Sequence, residues 1–267
     1  VVRSCLHLFR SCFCLLCNLT QNSDDPWGNN IVRSAYMPLA QVDEWSKEHG
    51  TNSSCLYMAA LGYVLSEYSR EDKVSFSMAN HGRTSKKIIN SYGMFVRSSP
   101  VLAVVDRKQK TMDYISGFRR EFMSCIRYGA YPFNHFCRDL NQKMAISFGF
   151  QGKGMKEDVM FGGVACMATQ LPKGLTSSDL NVTIYQRDAD YDIRLSASDK
   201  LYSVEYLDQM AEAIKICAQN MMANPDAELG KISIVSQEEQ EKLLALSEGK
   251  ELQYNKEETY VDMVVRH

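Results

Sequence analysis

The sequence predicts an α/β fold, a two-layer lobe in which amphipathic helices cover one face of a mixed sheet. Three observations carry that expectation. Helical and strand periods alternate along the chain, with no internal repeat and no low-complexity tract. Several helical segments carry one apolar stripe, which needs a sheet face to bury it. The hydrophobic fraction, 45% of 267 residues, suffices for one large core or two modest ones.

Leu39, Val42 and Trp45 recur at helical spacing until Gly50 ends the pattern, and Thr51 stands where a cap for the next helix belongs. In that helix Leu56, Ala59, Ala60, Tyr63 and Val64 continue the period to about Tyr68. Val74, Phe76 and Met78 alternate with polar neighbours as a half-buried strand does, and 80–87 reads as a polar loop. After an apolar stretch from Met94 to Val105, the pattern predicts a helix from Thr111 to Tyr128 that buries Ile115, Phe118, Phe122 and Ile126. A shorter helix buries Phe133, Phe136, Cys137 and Leu140. Met144, Ile146, Phe148 and Phe150 then alternate as a strand that Gly152 to Asp158 ends.

Leu180, Val182 and Ile184, followed by Tyr191, Ile193 and Leu195, predict an antiparallel hairpin turned at Arg187 to Asp190. Ser203 caps a long helix that buries Val204, Leu207, Met210, Ala211, Ile214 and Met221, with Pro225 just past its end. Ser236 to Glu239 has the capping-box pattern and opens a short acidic helix to about Ser247. Residues 249–267 are charged and weakly periodic, as a linker is.

Charge and composition narrow the function. A net charge of -2 gives no overall basic footprint for a nucleic-acid partner. The stretch Cys5 to Leu19 is interrupted by His7 and Arg10, too short and too polar to span a bilayer, and no small-residue cleavage pattern follows it. The chain is read as cytoplasmic, with no membrane partner. Of nine cysteines, Cys14 and Cys17 have C-x-x-C spacing, but no second pair completes a metal set, and the expectation is no metal. Cys55, Cys125, Cys137, Cys166 and Cys217 stand singly in apolar patterns, as small hydrophobes do in a reducing compartment.

No catalytic motif stands out. The five histidines, His7, His49, His81, His135 and His267, show neither adjacency nor ligand spacing, and no G-x-S-x-G, Walker loop or G-x-G-x-x-G is present. Gly152 and Gly154 lack the third glycine of a phosphate cradle. His81 follows a strand and precedes a glycine, as an active-site base can, yet no carboxylate or nucleophile is anchored near it in sequence. It reads as a solvated loop histidine, and His135 as an exposed helix residue.

One family does account for the middle of the chain. Asn80-His81-Gly82-Arg83, then Tyr92-Gly93-Met94-Phe95-Val96-Arg97-Ser98-Ser99-Pro100, resembles the G-R and G-M-F-V-N-T-x-P run of condensation domains in non-ribosomal peptide synthetases. Tyr131-Pro132-Phe133 resembles the end of their next motif, D-Y-P-F-E. Arg138-Asp139-Leu140 and Ile146-Ser147-Phe148 occupy the place of the one after. The tail, with Thr259 to Val264, resembles the opening of an adenylation domain. The sequence departs from the family at three positions: Arg97 replaces an asparagine, Leu102 an arginine, and Ala130 an acidic residue.

The resemblance implies one lobe of a chloramphenicol-acetyltransferase-like fold, with residues 1–34 unassigned, 35–235 the C-terminal lobe, and 236–267 a linker and the start of an adenylation domain. It implies amide-bond formation between groups tethered to the phosphopantetheine arms of two carrier domains, with no cofactor bound by this chain itself. The catalytic histidine of the family sits in an H-H-x-x-x-D-G motif that these 267 residues do not contain, so no catalytic residue is assigned. The implied partners are carrier domains, the N-terminal lobe and a downstream adenylation domain. Gly82, Arg83, Gly93, Met94, Phe95, Pro100, Tyr131, Pro132, Phe133 and Ser147 are the motif and tunnel-wall candidates. Among them Arg83 is expected to be a buried arginine tying loop carbonyls and a carboxylate together. The segments from Phe95 to Val105 and from Met144 to Phe150 are expected to line an apolar face built for the missing lobe. The alternative reading is a non-catalytic recruitment module of the same fold; a self-sufficient acyltransferase using His81 or His135 and an epimerisation domain rank below it.

Overall fold

The computed structural model describes residues 28–83, 85–129, 131–141, 144–152, 158–167, 178–247, 249, 259, 261, 264 and 265. The chain divides into two units, Val1–Ile234 and Val235–His267. In the first, β1 (Asn30–Pro38) leads into α1 (Leu39–Glu48) and α2 (Ser53–Ser69). The strands β2 (Lys73–Asn80) and β3 (Arg97–Val104) follow, then α3 (Thr111–Tyr128) and α4 (Phe133–Leu140). After them come β4 (Ile146–Gln151), β5 (Asp158–Phe161), β6 (Val164–Met167), β7 (Leu180–Gln186), β8 (Asp190–Ser198) and α5 (Val204–Ala223).

Six strands form one sheet in the order β1-β8-β7-β4-β2-β3. β4 runs parallel to both β2 and β7, and the other pairs are antiparallel, so the sheet is mixed as expected. Alternate residues on each strand face the helices: Met37, Phe76, Phe148, Val182 and Ile193 are all buried in one core. Phe76 packs between Phe118 of α3 and Phe148 of β4, with ring centroids 6.5 and 6.2 Å away. Each such side chain contributes about 1.5–3 kcal/mol of burial, which is why period-2 alternation fixes the register.

The central helix α2 differs from its expected amphipathic form, since every residue from Cys55 to Ser66 is buried. It packs against β2 and β3 and is flanked by the helices α3 and α5, so no face is left for solvent. Gly62 sets the distance of closest approach there. A Cβ at that position meets the Ala103 Cβ at 2.8 Å and the Tyr114 hydroxyl at 2.9 Å. The cap of α2 is Asn52 rather than Thr51: its Oδ1 accepts from the Cys55 amide at 2.9 Å. Ser203 caps α5 as predicted, accepting from the Tyr206 amide at 3.1 Å.

Two further differences are instructive. β1 begins at Asn30, inside the stretch the sequence leaves unassigned, and pairs along its whole length with β8. β5 and β6 form a separate hairpin turned at Gly162 and Gly163, both with positive φ. The Cys5 to Leu19 stretch, the Cys14/Cys17 pair and Gly154 lie outside the described residues. No helix among the described residues is long and apolar enough to cross a membrane.

In the second unit, α6 (Gln237–Ser247) starts at Ser236, whose Oγ accepts from the Glu239 amide at 3.1 Å. None of its residues is buried. Of the stretch from Thr259 to Val264, Tyr260, Asp262 and Met263 lie outside the described residues.

Candidate functional site

β2 ends at Asn80, and the turn that follows is held by side chains. Asn80 Oδ1 accepts from the Gly82 amide at 3.0 Å, and His81 Nδ1 accepts from the Arg83 amide at 3.0 Å. Gly82 has φ +64° and is buried against the Phe95 carbonyl, where any Cβ collides with that oxygen. His81 is exposed, and no carboxylate or nucleophile pairs with it among the described residues.

Arg83 is half-buried and organises the loop from Ser85 to Val96. Its Nη1 donates to the carbonyls of Ile88 at 2.8 Å and Ser91 at 2.5 Å, and its Nη2 to that of Gly93 at 3.3 Å. The guanidinium also stacks over the Phe95 ring, 4.4 Å from the centroid. The expected carbonyl ligands are present. No carboxylate joins them among the described residues, because 73–105 contains no Asp or Glu at all. Gly93, at φ +140°, lets the chain turn back over the Phe95 ring.

The outer side of this loop is apolar and open: Ile89, Tyr92, Met94 and Val96 are all more than half exposed. The expected apolar face is therefore only partly where the sequence placed it. Val101, Ala103, Ile146 and Phe148 face the helices and are buried, and Leu102 packs with Phe136 and Met144. That contact with α4 explains an apolar residue at a position where the resemblance suggested arginine.

The motif around Tyr131 joins the same region through Arg97, whose Nη1 donates to the Gly129 carbonyl at 3.0 Å. Asn80 pairs with Arg97 across β2 and β3, and its Nδ2 donates to Ser99 Oγ at 3.2 Å. Pro100 lies half-buried on β3, its carbonyl accepting from the Cys125 thiol at 3.5 Å. Pro132 caps α4, its carbonyl accepting from His135 and Phe136 at 3.0 and 3.1 Å. Phe133 is half-buried in the Phe136/Met144 cluster. Tyr131 is exposed and donates to Asp139 Oδ2 at 2.5 Å. That bond and Arg138 hold the Asp139 carboxyl below its ordinary range. Ala130 lies outside the described residues.

Ser147 is a separate feature. It pairs with Ser77 in the parallel ladder, and its Oγ donates to Asn181 Oδ1 at 2.5 Å, with no hydrogen bond to the Arg83 loop among the described residues. On the same face, a residue that sequence reasoning missed is Asp192, fully buried on β8. Its Oδ2 accepts from Arg187 Nη2 at 2.8 Å and Arg194 Nη2 at 2.6 Å. Arg194 and Asp192 sit two apart on one strand, a same-face spacing that was available as a signal. Arg97 was noted only as a departure, although it links two motifs. Among the described residues no group of three His, Cys, Asp or Glu could hold a metal.

The arrangement positions a loop and presents a surface; the described residues contain no assembled nucleophile and base. The comparisons with known proteins agree on what such a lobe belongs to. Surfactin synthase subunit 1 of Bacillus subtilis (strain 168) is 22% identical over 223 residues, covering 78% of this chain and 6% of that protein. Gramicidin S synthase 2 of Brevibacillus brevis is 21% identical over 236 residues, covering 85% and 5%. The chain thus spans a small fraction of the curated relatives it matches. In fold it matches the starter condensation domain of rhizomide synthetase, with TM-score 0.70 at 16% identity, over 87% of this chain and 54% of that one. It also matches the first condensation domain of the calcium-dependent antibiotic synthetase, with TM-score 0.64 at 15% identity, over 80% and 49%. The Condensation domain family itself matches from residue 33 to 244, most of the described sheet and its helices, and to that family the chain belongs.

Proposed function

We propose that residues 35–235 are the C-terminal lobe of a condensation domain, one wall of a tunnel in which an amide bond forms between two carrier-tethered groups. The observation that carries this is the half-length match: the chain aligns with 49 to 54% of solved condensation domains. The ordered Gly82-Arg83, Gly93 to Pro100 and Tyr131 to Phe133 motifs meet at one end of β2 and β3, which supports the same reading. The lobe holds and shapes; a second lobe with H-H-x-x-x-D-G supplies the catalytic histidine, and carrier phosphopantetheine arms bring the thioester and the amine. Residues 236–267 then form the linker and the start of an adenylation domain. The site residues are Gly82, Arg83, Gly93 and Phe95 as the loop clasp, Met94 and Pro100 beside it, Tyr131, Pro132 and Phe133 at α4, and Ser147 on the polar face of β4.

The recruitment-module alternative is favoured by one observation, Arg97 in place of the motif asparagine. The two are separated by expressing the chain in frame with the coding sequence preceding Val1 and supplying donor- and acceptor-loaded carriers. Dipeptide on the acceptor carrier supports the condensing lobe. Carrier binding without product supports recruitment.

A further inference from the structure

The two edges of the six-stranded sheet, β1 and β3, are not alike. On β1 the Asp199 amide donates to the Asn29 carbonyl at 2.9 Å, so by alternation Val32, Ser34 and Tyr36 turn their main-chain groups outward. Arg33 lies across that edge: its Nη1 donates to the Val32 carbonyl at 2.7 Å while its Nε pairs with Asp208. A charged side chain laid over an edge discourages strand pairing there.

On β3 the Val105 amide donates to the Asp72 carbonyl at 2.8 Å, so the main-chain groups of Pro100, Leu102 and Val104 point away from the sheet. The Pro100 carbonyl accepts from the Cys125 thiol. The N–H and C=O groups of Leu102 and Val104 have no partner among the described residues, and no charged side chain covers them.

Beside this open edge lies a cleft of about 280 Å³ between β3 and α3, whose lining includes Leu102, Val104, Asp106, Asp113, Gly117 and Glu121. Its three carboxylates form no ion pair among the described residues, although Arg120 stands at the rim. Asp113 is in the first turn of α3, where the helix dipole favours a carboxylate. Glu121 has no such support, and burial alone lifts its carboxyl above the ordinary range. Gly117 lies one turn from each. Glycine inside a helix is destabilising relative to alanine, yet a Cβ here meets nothing nearer than Arg120 Nη2 at 3.8 Å. Packing within the chain gives no reason for that glycine; close approach by another backbone does.

We propose that the free edge of β3 takes up an extended, basic and apolar segment of a partner protein as a seventh strand. Its main chain pairs with Leu102 and Val104. Basic side chains on one face of the segment enter the cleft past Gly117 and pair with Asp113 and Glu121, and the alternate apolar ones lie beside Val104. The inference does not depend on whether the lobe condenses.

The test uses the whole chain and a short fluorescein-labelled peptide of alternating lysine and valine, followed by anisotropy. Saturable binding is expected, weakened by added salt and weakened roughly tenfold in D113N/E121Q. G117L, which puts a good helix former into the cleft, should fold and lose binding. Amide exchange at Leu102 and Val104 should slow in the complex, and N-methylation along one edge of the peptide should abolish binding while the other edge tolerates it. Absence of saturable binding, unchanged affinity in folded G117L, equal binding of a glutamate-for-lysine peptide, or unaltered exchange at Leu102 and Val104 would each overturn the proposal.

Discussion

The guanidinium of Arg83 lies 4.4 Å from the centre of the Phe95 ring while donating to the carbonyls of Ile88, Ser91 and Gly93. One side chain thereby closes a loop that has few other ties. R83A should lower stability by about 2 kcal/mol and speed hydrogen exchange across 85–95, because charge-assisted bonds and the stack are lost together. R83K keeps the charge without the planar fork and should recover only part of the loss. An unchanged melting temperature with unchanged exchange would show the loop to be held by something else.

Gly82 packs against the Phe95 main chain. Alanine there must adopt φ near +64° and displace the Phe95 carbonyl. G82A should cost more than about 1 kcal/mol in chemical denaturation. Gly50, also at positive φ but with open space around it, is the control; its alanine variant should cost less.

The thiols should separate by burial. Cys55 is buried and its pKa is pushed up to about 11 by desolvation, and Cys217 is raised further for the same reason. Cys166 is exposed. Alkylation near pH 8 followed by peptide mapping should label Cys166 quickly and Cys55 and Cys217 only on unfolding. Rapid native labelling of Cys55 would contradict the burial of α2.

The Tyr131 hydroxyl stabilises the ionised Asp139, so the folded pKa lies below the unfolded one. The stabilisation is present above the unfolded pKa and lost as pH falls through the folded pKa. Y131F should raise the Asp139 pKa in an NMR titration and leave the melting temperature near neutral pH almost unchanged, since the pair is exposed. A pKa that does not move would assign the shift to Arg138 and His135.

Most of the lobe was legible where one period dominates. α3 and α5 follow from apolar stripes with clear ends, and β2, β4, β7 and β8 from alternation. β1 was not, because its inward residues Arg33, Ala35 and Met37 make a weak stripe and Pro38 ends it. α2 was found but misjudged, since a helix buried all round has no moment to read. At the site, Gly82-Arg83 was visible as a motif, but its partners are main-chain carbonyls, which leave no mark in sequence.

The central claim is that this chain supplies a lobe and not the catalyst. The direct measurement is mass spectrometry of an acceptor-loaded carrier after incubation with the 267-residue chain and a donor-loaded carrier. No dipeptide above the protein-free control is predicted, since the H-H-x-x-x-D-G motif is absent and His81 has no catalytic partner among the described residues. Dipeptide formed by the chain alone and abolished by H81A would contradict the account and make His81 the base of a self-sufficient acyltransferase.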